Sequence, residues 1–175
     1  MAPPRPPVRT RPELRLMRAA DAAAVALLAE KLNRHFGVAA PAFGASAIAP
    51  LLEGDPPFLS GLIAETGDRS TTREPVAYAL AQDFFDTDTG RMGLWLFDLY
   101  VEPDWRGAGL GRSMIAALAA RAAGQGKGMI ALAAYRSNPA RRLYERIGAA
   151  LPEEALVYEL RDEKLQALAD EAPAL

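Results

Sequence analysis

Apolar residues repeat along this chain with two periods, and the changes from one period to the other mark its elements. Residues 13–18 alternate as a short strand. After Ala20 and Asp21 the spacing becomes helical, with Val25, Leu28, Leu32 and Phe36 on one face and an end near Gly37. A second short helix is predicted over residues 46–52, between a loop rich in Gly, Ala and Pro and the breaker Gly54, Asp55, Pro56, Pro57. Residues 58–65 and 74–83 then alternate as two strands joined by the polar loop 66–73. A turn over residues 84–90 leads to a run over residues 94–101 that is nearly continuous in apolar side chains, as expected of a strand covered on both faces. A glycine-rich loop follows, and then a helix whose Met114, Ile115, Leu118, Ala119 and Ala122 form a stripe for packing on a sheet, ending near Gly124. Residues 128–134 read as a short buried strand. Asn138 suits the N-cap and Pro139 the first position of a further helix that carries Tyr144. The pattern closes with a strand over residues 156–160 and a helix over 162–169.

Composition narrows the classes. The 175 residues predict one domain over 13–175, preceded by a basic, proline-rich tail over 1–12 of polyproline type. With 20 Lys and Arg against 22 Asp and Glu, the net charge of −2 gives no electrostatic basis for nucleic-acid binding. There is no cysteine, which excludes disulfides, thiolate metal ligands and a covalent acyl-cysteine intermediate. The single histidine, His35, falls late in the first helix, where it interacts with terminal carbonyls, and the scattered carboxylates lack the spacing of a metal loop, so no metal site is expected. The N-terminus lacks the apolar core of a signal peptide and no stretch approaches the length of a membrane span, so a cytoplasmic protein without a membrane partner is expected.

Four features carry candidate chemistry. Gly107, Gly109 and Gly111 keep side chains out of the loop that opens the helix, so backbone N–H groups can close on a polyphosphate at the helix's positive end. The spacing Arg106-x-x-Gly109-x-Gly111 is neither that of a nucleotide-hydrolase phosphate loop nor that of a dinucleotide fold. Asp98 interrupts the apolar strand. A carboxylate there costs several kcal/mol to desolvate without partners, so it either ties down loop amides or an arginine, or holds and deprotonates an amine. Phe84, Phe85, Asp86 and Asp88 form either a solvated hairpin tip or an apolar and acidic lip for a cationic amine. Tyr144 is either a helix aromatic packed with Leu143 and Ile147, or a proton donor.

The strand end Leu99-Tyr100-Val101 with the loop from Arg106 to Gly111, the order strand, loop, helix, strand, helix over residues 92–149, and Tyr144 set between Asn138 and Gly148 together resemble the GNAT superfamily of N-acetyltransferases. The resemblance implies an α/β fold, with a mixed, mostly antiparallel central sheet of about six to seven strands flanked by helices on both faces. It implies acetyl-CoA as cosubstrate, bound by Leu99, Tyr100, Val101, Arg106, Gly107, Ala108, Gly109, Leu110, Gly111, Arg112, Asn138 and Tyr144. The acetyl group then passes directly to an amine of a small molecule, diamine or amino-acid-like, on a side walled by the first two helices. Phe84, Phe85, Phe97 and Asp98 are the expected acceptor residues. An alkylamine with a pKa near ~10.4 costs roughly 4 to 5 kcal/mol to deprotonate at neutral pH, so a base or a water relay is required. Asp98 is the leading base, with Glu102 a weaker candidate beyond the strand end. A backbone N–H near Leu99 to Val101 stabilises the oxyanion and Tyr144 is the general acid for the departing sulfur.

The pattern is most similar to the diamine type, the spermidine/spermine and thialysine enzymes, which implies a homodimer. Those enzymes carry a glutamate immediately before the strand aspartate. Here that place is Phe97, which weighs against a polycation and leaves a small amine. A protein or peptide amine is the alternative acceptor, and a coenzyme A sensor without efficient turnover is the alternative role.

Overall fold

Five strands form one sheet in the order β1-β2-β3-β4-β5: β1 Glu13–Leu16, β2 Ser60–Thr66, β3 Glu74–Asp86, β4 Arg91–Val101 and β5 Met129–Leu132. The first four run antiparallel to their neighbours and β5 joins β4 in parallel. The structure is a computed structural model that describes residues 11–38, 43–67, 73–152 and 156–172. The chain divides between Asn138 and Pro139 into two compact units.

Helices cover both faces of the sheet in the first unit. The helix α1 (Ala22–His35) and the short α2 (Ala45–Ile48), continued by a 3-10 turn over Ala49–Leu52, lie on one face. There Val25, Leu28, Ala29 and Ile48 pack with Tyr78, Leu80 and Tyr100. The helix α3 (Leu110–Gly124) lies on the other, where Leu110, Met114 and Leu118 pack on Ala77, Ala79, Ala81, Leu94 and Leu96. The run of alanines at every second position of β3 lets α3 sit close to the sheet. Gly61 of β2 serves a different close approach, that of β3, because a Cβ there would stand 2.1 Å from the carbonyl oxygen of Ala79.

An ion cluster fastens β1 to β2. Arg15 donates through Nε and Nη2 to Glu65 at 2.9 and 2.6 Å, and through Nη1 and Nη2 to Asp21 at 2.7 Å each. Glu65 is buried, and both carboxyls lie below their usual range, first because Arg15 donates to them. Removing the guanidinium would leave two desolvated carboxylates with weaker partners only, Glu65 with Arg73 at 3.6 Å and Asp21 with the Arg18 amide at 2.8 Å. Arg15→Met is therefore expected to lower stability by about 2 to 4 kcal/mol at pH 7, read by urea unfolding. Because the folded-state pKa values of Asp21 and Glu65 are depressed, the contribution is fully present above their unfolded values near ~4 and is lost as pH falls through the folded ones. The gap between variant and wild type should accordingly close in acid; a gap independent of pH would contradict this account.

The sequence-based expectations meet three corrections. Residues 156–160 form no strand, and the described residues give five strands rather than six to seven, because these five residues have no ladder partner to make them one. In the second unit α4 spans Arg141–Arg146 with Ala140 at its N-cap position, two residues later than the N-cap expected at Asn138. The Asn138 amide instead turns back to the carbonyl of Tyr135 at 2.9 Å, while Pro139 and Ala140 make a turn before the helix. The hairpin between β3 and β4 is tighter than predicted: Phe84, Phe85 and Asp86 belong to β3, and the Asp86 carboxylate closes the turn by accepting from the Asp88 amide at 3.2 Å and the Thr89 hydroxyl at 2.5 Å. The final helix, α5 (Asp162–Ala169), has its expected bounds.

Candidate active site

The β3–β4 ladder contains one irregularity, and the candidate site is built on it. From the turn inward Asp86 faces Arg91 and Ala81 faces Leu96, but the next pair is Leu80 with Asp98. Phe97 is the extra residue of a bulge. Before it, Leu94 and Leu96 point into the α3 core; after it, Leu99 and Val101 do so. Alternation therefore puts Trp95 and Phe97 on the α1 face from one side of the bulge, and Asp98 and Tyr100 on that same face from the other. The structure so brings Phe97 and Asp98 together, as the acceptor reading requires.

Asp98 has a partner that the sequence did not reveal. The hydroxyl of fully buried Tyr78 donates to Asp98 Oδ2 at 2.9 Å. Among the described residues the carboxylate is held by neither a loop amide nor an arginine. Burial pushes the Asp98 carboxyl above its usual range while the Tyr78 donor opposes the rise. Burial and the adjacent carboxylate drive the Tyr78 phenol upward, so it stays a donor. A carboxylate raised toward neutrality and fixed on one oxygen is suited to accepting a proton with the other.

The bulge also coincides with the place where β4 and β5 separate. Their ladder ends at Leu96 with Leu132, leaving the β5-side edge of β4 open from Phe97 onward. The Glu102 amide donates to Val76 on the β3 side at 2.9 Å. Counting back by alternation turns the amides of Val101 and Leu99 toward the open edge. There Arg106 Nε donates to the Val101 carbonyl at 2.7 Å, and its guanidinium lies 5.5 Å from the centroid of the Tyr100 ring. Arg106 thereby fixes the loop to the strand end. The Leu99 amide is left aimed at the gap.

The loop suits a polyphosphate. Gly107 and Gly109 have φ of 79° and 84°, and a Cβ on either would meet nothing within 4 Å, so the loop has open space over a glycine backbone. Gly109 is the N-cap of α3, whose first helical bond runs from Ser113 back to Gly109, and the amides of Leu110, Gly111 and Arg112 precede it without intrahelical partners. Ala108 and Arg112 are exposed beside them and the first turn holds no acidic residue. These residues fit the pyrophosphate of coenzyme A.

The other expected site residues are distributed as follows. Phe84 shares the α1 face with Trp95, their rings meeting edge-on at 6.3 Å, whereas Phe85, next along β3, points to the opposite face and is not brought to Asp98. Glu102 accepts from Tyr100 at 3.1 Å and pairs with Lys31 of α1, so it is engaged in holding the strand end. A cleft of about 530 Å³ beside it, lined by Lys31, Glu74, Glu102, Asp104 and Trp105 among others, includes neither Asp98 nor a loop glycine. His35 packs against Phe36 with ring centroids 5.2 Å apart, in the exposed position expected of a helix end. In the second unit Tyr144 is half-buried on α4, and burial raises its phenol above the ordinary value. Asn138 is half-buried at the end of the first unit.

Comparison with known proteins agrees with this geometry. Residues 61–148, just over half of the chain, match the family model described as an acetyltransferase (GNAT) domain. Among curated proteins no sequence matches. Solved structures share the fold. An integron cassette protein from the mobile metagenome of V. cholerae superposes with a TM-score of 0.73 at 21% identity, over 93% of this chain and 99% of that one. A ribosomal-protein-alanine N-acetyltransferase from Brucella melitensis biovar Abortus gives 0.68 at 24%, over 86% and 100%. An aminoglycoside acetyltransferase from an uncultured soil metagenomic sample, in complex with sisomicin, gives 0.68 at 14%, over 87% and 97%. The loop, the bulged strand beside it and the match across both place this chain in the GNAT acetyltransferase family.

Proposed function

We propose that this acetyltransferase acts on a primary amine of a small molecule, with Asp98 as the base and Tyr144 as the general acid. The observation that carries the reading is the position of Asp98: a half-buried carboxylate with one oxygen bonded to Tyr78, at the point where β4 parts from β5. When bound, acetyl-CoA supplies the activated acetyl thioester. The chain's own residues do the rest. Asp98, directly or through one water, takes the proton that a neutral-pH ammonium must lose before it can attack. The Leu99 amide, aimed at the open edge, donates to the carbonyl oxygen as that oxygen gains charge. Tyr144, kept protonated by its burial, supplies a proton to the departing sulfur.

Phe97 in place of a second carboxylate supports a monocation over a linear polyamine. The solved relatives include one named for a ribosomal-protein alanine and others named for aminoglycosides, so the fold alone supports both protein and small-molecule acceptors. The test is thiol release from acetyl-CoA against a panel of small amines, amino acids and peptides. Turnover with small primary amines is expected. Turnover confined to peptide N-termini would replace this reading with protein acetylation, and coenzyme A binding with no turnover on any acceptor would support a sensor.

A further inference from the structure

Three aromatic side chains on the α1 face belong to neither core. Phe84, Trp95 and Phe97 lie beyond the area that α1 and α2 cover, and Phe97 is 48% exposed. Phe84 and Trp95 are seated against each other and against the strand. The Phe84 ring lies over Gly93, where a Cβ would stand 2.6 Å from two ring atoms, and it meets Trp95 edge-on at an interplanar angle of 83°. Met129 of β5, 43% exposed, extends the same apolar strip, its Cγ 3.0 Å from that same point over Gly93. The strip runs up β4 and ends at Asp98.

We propose that Phe84, Trp95 and Phe97 form an acceptor shelf, and that the amine acetylated at Asp98 is carried on a flat apolar body, an arylalkylamine in class. This deepens the acetyl-transfer reading and rests on it. The shelf offers π faces and one carboxylate at its inner end, which complements a monocation joined to a ring. Trp95 to Asp98 spans roughly 7 to 10 Å along the strand, the reach of a ring with a two- or three-carbon arm. A linear di- or polyamine would need a second anion at similar range. On this face the residue across from Trp95 is the uncharged Gln82 and the neighbour of Asp98 is Phe97.

The test compares phenylethylamine with 1,4-diaminobutane in the full-length enzyme. The kcat/KM for phenylethylamine should exceed that for the diamine by about tenfold or more, and in Trp95→Leu and Phe97→Ser the ratio should collapse toward one. Calorimetric binding of phenylethylamine, which requires no turnover, should weaken by a similar factor in both variants. Preference for the diamine, or a ratio and affinity untouched by both substitutions, would overturn the proposal. So would conversion of a dimer to a monomer by Phe97→Ser with the preference intact, because the shelf would then be a subunit interface. If no amine is acetylated but phenylethylamine binds and the variants abolish the binding, the shelf stands and acetyl transfer to amines fails.

Discussion

Asp98→Asn is expected to lower kcat/KM for the amine by about 100- to 1,000-fold without loss of stability, because a general base contributes in that range and amide and carboxylate are isosteric. Burial raises the Asp98 carboxyl, so its sign in folding is opposite to that of Asp21 and Glu65. Between the unfolded and the raised folded pKa the native state binds the extra proton, and the stability Asp98 contributes falls as pH rises through that window. At neutral pH the ionised carboxylate is a desolvation cost that asparagine does not carry. Urea midpoints should therefore be equal or higher for the variant, while turnover collapses. In the wild type the acid limb of the kcat/KM profile should stand above the usual carboxylate range, and Tyr78→Phe should move it higher by removing the donor that lowers Asp98. Tyr78 is a positioning residue in this account, so Tyr78→Phe should have little further effect in an Asp98→Asn background. Retention of activity within threefold in Asp98→Asn would mean that solvent alone takes the proton.

Local elements were legible because local physics determines them. The glycine turn at Gly107 and Gly109, most of the α3 stripe and the bounds of α5 follow from backbone freedom and periodicity, whereas Gly111 falls inside α3 and Ala119 of the expected stripe is exposed. The bulge was not legible, and the site depends on it. Strict alternation from Leu94 and Leu96 sends Asp98 into the α3 core, where an unpaired carboxylate would be untenable. One inserted residue at Phe97 reverses the face and pairs Leu80 with Asp98, so that Tyr78 can reach the carboxylate. No local propensity marks that insertion in a run of leucines and aromatics; it is selected by the register of β3, which is tertiary information. The same reversal puts Asp98 on the face that already carries Trp95, a residue that the apolar run concealed, and to which ordinary alternation along β3 brings Phe84 but not Phe85. Asn138 illustrates the converse error: a good capping residue before proline, two residues ahead of Ala140, where the helix places its N-cap.

Tyr144→Phe is the second substitution with a large expected effect: a fall in kcat of about 100-fold, with the KM for the amine little changed. The phenol is neutral across the working range because burial raises it above its ordinary value, so it can donate but cannot serve as the base. Its task falls late, when the tetrahedral adduct collapses and sulfur leaves with developing negative charge. Loss of the donor should therefore matter in proportion to how strongly that sulfur needs a proton. With an acetyl donor whose thiol is more acidic, the ratio of wild type to Tyr144→Phe should shrink toward one, whereas the ratio for Asp98→Asn, which acts on the amine, should persist. A Tyr144→Phe deficit of the same size with both donors would assign the ring to packing beside Leu143 and Ile147. A loss within about twofold would remove it from the chemistry, leaving water to protonate the thiolate.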